Sequence, residues 1–239
     1  MRERRAVGVP GIGVREFQLV LLRRMADFQP GLVEDARRAL GASRTEMREV
    51  NAAWQRMIRS PRAPAGPRRH TSVLGPPESD GERAVGDLVC RVLRWPLPLW
   101  PDLRFEVVAL GERTVLQEWL VRAPGSAPPA LRGVADLAPW SCVVEDVGRA
   151  FPSARPLEGT APARWRLVFT APGGGLDGGP GGGLAGEGEP GRYVADFTWG
   201  LLQEVRALDI GPGPGSGVET GAGSRADPAP GSGGRSAAR

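Results

Sequence analysis

Lysine is absent from this chain, so all 31 of its Lys+Arg positions are arginine. Histidine and tyrosine occur once each and cysteine twice, while isoleucine and asparagine are nearly missing. That is the bias of a GC-rich genome, so the arginine content partly reflects codon usage. Each absence closes a class of chemistry. Without lysine the glycine tract from Gly173 to Gly183 is no P-loop, and a strand rather than a helix follows it. The single histidine, His70, lies in a Pro/Arg-rich segment with no orienting partner in view, which argues against general-base or triad catalysis. Two cysteines and one histidine fall short of the four ligands of a structural zinc site. The expectation is therefore no enzyme, no metal and no cofactor. Cys90 and Cys142 sit in apolar runs and read as buried, reduced thiols. No apolar run approaches the ~20 residues needed to span a bilayer. The start, Met1-Arg-Glu-Arg-Arg5, lacks a signal-peptide h-region. The expected compartment is the cytoplasm, with no membrane role.

What is present is unevenly spread. All seven Trp and all six Phe fall between Phe17 and Trp199. Residues 207–239 are mostly Gly, Pro, Ala and Ser. They have too little apolar surface to offset an ordering cost of roughly 1–2 kcal/mol per residue, and are expected to form a disordered tail. Charge is skewed too: residues 1–72 hold 15 Arg against 7 acidic residues, net +8, and the rest 16 against 20, net −4. A basic first third suits nucleic acid, an acidic partner or a membrane surface.

Hydrophobic periodicity divides the chain. Residues 1–59 read as a basic helical region. Phe17, Leu21, Met25 and Phe28 recur at helical spacing until Pro30-Gly31, and a second helix spans Leu32–Leu40. A third starts at a capping box formed by Ser43 and Glu46, with the stripe Met47, Val50, Trp54, Met57 and Ile58. Residues 60–78 carry five prolines and read as an extended linker. Residues 79–206 read as an α+β domain, an antiparallel sheet flanked by helices. Its first helix carries Val85, Leu88, Val89, Val92 and Leu93. A hairpin follows, Leu103–Leu110 and Thr114–Arg122, with Leu103, Phe105 and Val107 inward on one strand and Val115, Trp119 and Val121 on the other. A short edge strand is expected near Leu131–Val134 and a helix over Leu137–Phe151. The domain closes on two strictly alternating runs. Trp165, Leu167 and Phe169 share one face, as do Tyr193, Ala195, Phe197 and Trp199, with a glycine-rich insertion at 173–191 between them.

Candidate binding residues follow from which face each polar group takes. Asp196 and Arg192 lie opposite the aromatic face of the last strand and are expected to meet solvent or a protein partner. Glu145 and Asp146 are neighbours on the polar face of the 137–151 helix. The segment 32–59 also has the cadence of a helix-turn-helix, in which Arg44, Arg48 and Arg56 would contact phosphate. It departs from that motif at Arg37, where a small residue is wanted, and it interleaves Glu46 and Glu49. A DNA-binding regulator is therefore the alternative to a protein-binding module.

The stretch Trp95-Pro-Leu-Pro-Leu-Trp100, the hairpin from Leu103 to Gly111, and the closing runs Arg164–Thr170 and Gly191–Trp199 carry a family resemblance. Over residues 86–200 the chain resembles the YezG-like family of small bacterial immunity proteins, which neutralise polymorphic toxins. The resemblance implies a non-catalytic protein that sterically occupies a toxin surface.

Overall fold

The computed structural model describes residues 11–161, 163–173 and 188–208. The fold is α+β. Among the described residues it has five α-helices and two four-stranded antiparallel sheets, ordered β1-β2-β3-β4 and β5-β6-β7-β8. The sequence reading had a single sheet.

The basic N-terminal region forms α1 (Val14–Met25), α2 (Pro30–Ala39) and α3 (Arg44–Arg59). Pro30, read as a breaker, is the first residue of α2, where its missing N–H costs nothing. The Ser43 hydroxyl accepts the Glu46 N–H at 3.0 Å and starts α3. Helix α1 is buried almost all round, from Phe17 to Leu22 and again at Met25, because it lies between the other helices and the first sheet. Its Phe17 meets Trp54 of α3 at 5.3 Å and Phe105 of the sheet at 4.9 Å, both edge to face.

Residues 60–78 are not simply a linker. They contain α4 (Pro67–Leu74), which buries His70, Val73 and Leu74. Eight residues are too few for a periodicity to register in sequence. The His70 ring is fully buried within 5.6–6.2 Å of Phe17, Trp54, Trp95 and Phe105. Burial pushes its pKa from the ordinary 6.5 down to about 3, so the folded protein holds it neutral. The unfolded chain then takes up a proton that the folded chain refuses. Stability is full above about pH 6.5 and drains as pH falls toward 3, by at most about 4–5 kcal/mol. Burial raises the neighbouring Glu118 carboxyl above its ordinary 4.5. That group works in the opposite sense, since the folded state takes its proton first. His70→Leu should flatten the acid limb of stability against pH in urea titrations; an unchanged limb would place the acid sensitivity elsewhere.

Residues 79–97 correct the reading most. They form a hairpin, β1 (Ser79–Val85) and β2 (Leu88–Leu97), rather than a helix. Strand β2 buries residues on both faces: Leu93, Trp95 and Leu97 toward the helices, Cys90 and Val92 away from them. A two-sided apolar run imitates a helical stripe. Val85, Leu88 and Val89 are 43, 46 and 64 % exposed and lie outside the core.

Strands β3 (Trp100–Leu110) and β4 (Thr114–Arg122) pair as expected, and Leu103, Phe105 and Val107 face the helices. The reading of β4 fails beyond Val115. Val108 pairs with Gln117 but Ala109 with Val115, so Leu116 is an extra residue. That bulge flips the later side chains. Leu120 faces inward opposite Phe105, while Trp119 and Val121 face outward opposite Glu106 and Arg104.

In the second half a 3-10 turn at Val134–Asp136 stands where an edge strand was expected, and α5 is only Val144–Ala150. Residues 137–143 are extended or turning, with Trp140 at φ +64°, so the helical spacing there was accidental. Strands β5 (Arg155–Ala161), β6 (Arg164–Gly173), β7 (Gly188–Thr198) and β8 (Leu201–Ala207) follow, the first and last unforeseen. The expected β6–β7 pairing is present, Phe169 opposite Tyr193 and Leu167 opposite Ala195. Leu167, Phe169, Tyr193, Ala195 and Phe197 pack with Leu137, Cys142, Val147 and Phe151 in a second core. Strand β6 runs through Gly173 and β7 starts at Gly188, so the ends of the 173–191 insertion belong to strands; 174–187 lie outside the described residues, as does the tail beyond Leu208.

Trp199 does not continue the face of Phe197. With Gly200 it forms the two-residue turn between β7 and β8, at φ +52° and +74°, the signature of a tight hairpin. The turn docks on the first sheet: the Leu120 N–H donates to the Trp199 carbonyl at 2.7 Å. A Cβ on Gly200 would stand 2.8 Å from the Leu120 carbonyl oxygen, so only glycine fits there. Trp199 joins the first core, with Phe105 at 6.3 Å.

Candidate functional site

The outer face of the first sheet carries a buried polar construction. Arg94 of β2, Glu106 of β3 and Trp119 of β4 stand in register across three strands. Glu106 is fully buried, although it faces away from the helices. Arg83 reaches one carboxylate oxygen at 2.9 Å and Arg94 the other at 2.7 Å, while the Trp119 indole N–H donates at 3.0 Å. A buried carboxylate survives where paired cations and donors compensate its lost hydration. The Arg83 and Arg94 side chains remain 41 and 32 % exposed and line the floor of an open groove of about 680 Å³.

The groove runs to α5. Its far wall has Arg122, Glu145 and Arg149, with Val85, Val121 and Pro124 as apolar patches between the charges. Glu145 and Arg149 pair at 2.9 Å on the exposed rim. Asp146 is buried: it accepts the Val143 N–H at 3.1 Å, starting α5, and binds Arg122. It was expected beside Glu145 on the polar face of the helix, and the structure instead buries it.

The other sequence candidates lie elsewhere. Asp196 does sit opposite Phe197, but rather than facing solvent it is buried and paired with Arg206. Asp196→Ala should cost about 1–2 kcal/mol, because Arg206 is half exposed and keeps its own hydration. An unchanged urea midpoint would contradict this. Arg192 is exposed on the same strand, and its carbonyl accepts the Leu208 N–H. Arg44 pairs with Glu34 at 3.0 Å, Arg48 bonds Thr45, and Arg56 is exposed along α3. Arg37 fills the corner between α2 and α3, bonding Glu34 and the Ala42 carbonyl.

Glu106 was not foreseen. Alternation gives it an outward face between Phe105 and Val107, but its burial depends on arginines from two other strands, which periodicity does not pair. Among the described residues, no cluster of three or more His, Cys, Asp or Glu side chains suits a metal, and no helix is long and apolar enough to cross a membrane.

No protein-family model and no curated protein matches the chain. Among solved structures it is similar to a Streptococcus mutans protein described as a "putative beta-lactamase inhibitor protein", at 10% identity and a TM-score of 0.24, covering 62% of this chain and 84% of that one. A superposition that loose carries no argument about function.

Proposed function

We propose that the chain is a non-enzymatic protein-binding module whose contact surface is the outer face of the first sheet. The observation that supports this is the Glu106 construction: buried ion pairs hold two arginines and a tryptophan rigidly at the floor of an open groove. Arginine and tryptophan are the residue types that dominate binding energy in protein interfaces, and pre-organisation lowers the entropy lost on association. Exposed Val85 and its cross-strand partner Leu88 extend the surface along the β1–β2 hairpin. The partner offers carboxylates to the guanidinium groups and apolar side chains to the hairpin. The YezG-like resemblance gives the finer form: an immunity protein acting in the cytoplasm on a toxin domain.

The test is co-expression with candidate toxin domains, beginning with any encoded beside this chain. The double variant Val85→Asp, Arg149→Glu changes only rim positions. It should keep the wild-type melting temperature and lose both co-purification and protection from the toxin. If binding survives, the outer face is the wrong surface. If Arg44, Arg48 and Arg56 to Ala abolishes function instead, through salt-dependent binding of duplex DNA, the regulator reading replaces this one.

A further inference from the structure

A second cavity, of about 420 Å³, opens on the other side of β4, where α1, α3 and α4 meet the Trp199 turn. We propose that it binds a small organic anion, a carboxylate carried on an apolar body. This inference is independent of the protein-binding surface.

Three arginines line the cavity, Arg24, Arg69 and Arg113. None of them has an ion-pair partner among the described residues, although fourteen other arginines of the described chain do. Two donors in the wall are also orphaned: Trp199 Nε1 and Arg69 Nε are buried without a hydrogen-bond partner. Trp199 is 9 % exposed, so bulk water does not satisfy its indole. Each buried, unmade hydrogen bond is a standing cost, and native chains keep few of them without a reason. Trp199 is also, among the described residues, one of two non-glycine residues at positive φ, an unfavourable conformation for a bulky side chain. Orphaned donors, unpaired cations and a strained residue therefore share one cavity, and an anion answers the first two together.

The cavity's carboxylate is Glu118, whose Oε1 lies 3.5 Å from His70 Nε2. Burial raises its pKa and the nearby Arg69 restrains the rise. Ile58 and Leu116 supply apolar wall, and Leu116 is the bulge residue of β4. The size is that of a small-ligand pocket, which commonly pairs apolar walls with a few convergent polar groups. An inorganic ion would leave those walls unused.

The experiment uses the full chain labelled with nitrogen-15 and two probes, benzoate and inorganic phosphate. The Trp199 indole cross-peak is identified by its loss in Trp199→Phe. Benzoate should shift that peak saturably. Arg69→Gln and Arg113→Gln should each weaken the response about tenfold, as loss of one charge-assisted contact requires. Arg113 is exposed, so Arg113→Gln keeps the fold and the test stands even if the Arg69 variant misfolds. A peak unmoved by benzoate overturns the proposal. So does an equal shift in the Arg113 variant, or a response to phosphate as strong as that to benzoate.

Discussion

Phe105→Ala should lower the unfolding free energy by about 3–5 kcal/mol, the range for deleting a buried aromatic. Phe105 is fully buried, and three elements converge on it: Phe17 of α1 at 4.9 Å, His70 of α4 at 5.6 Å and Trp199 of the β7–β8 turn at 6.3 Å. Little room exists for such a site to collapse, because the walls belong to different elements that also hold one another. Urea titration checks the size of the loss. A change below about 1 kcal/mol would mean that helices and sheet are held together elsewhere.

Glu106→Ala, one residue along the same strand, should cost about 3 kcal/mol for a different reason. It removes the carboxylate on which Arg83, Arg94 and the Trp119 indole converge. Breaking a buried pair leaves an uncompensated charge, and the value falls at the low end because both guanidinium groups reach water. Glu106→Gln keeps an acceptor for the indole and should cost less. The two substitutions also differ in function. Phe105→Ala destabilises without touching the groove, whereas Glu106→Ala loosens Arg83 and Arg94 and should weaken partner binding beyond what its stability loss explains.

Legibility in the sequence followed alternation of apolar and polar side chains. Helix α3 and strand β6 each bury one face, and β3 and β7, though buried on both, keep aromatic residues on one face and set Arg104, Glu106 and Asp196 on the other, so their period names the element. Strand β2 buries both faces, so Cys90 to Leu97 lost its alternation and passed for a helix. In β4 one bulge residue, Leu116, shifted every later side chain by one position and hid the outward face of Trp119. His70 was dismissed because prolines surround it, yet Pro67 starts a helix and carries the ring into an aromatic box. The candidate site was less legible than the fold. Glu145 is exposed as expected because its polar helix face is a local property. The burial of Asp146 and Asp196 was not legible because their partners, Arg122 and Arg206, come from other elements. Glu106 needed contacts from β1, β2 and β4 together, and no spacing within one strand records them.

Site-specific photo-cross-linking in living cells decides between the surfaces. A photoreactive residue is placed at Val85 or Gln117 of the groove, or at Arg48 or Arg56 of α3. The expected result is one discrete protein adduct from positions 85 and 117, lost when Arg149 is changed to Glu, and none from positions 48 and 56. No adduct from the groove, or adducts only from α3 to nucleic acid, would contradict the protein-binding assignment.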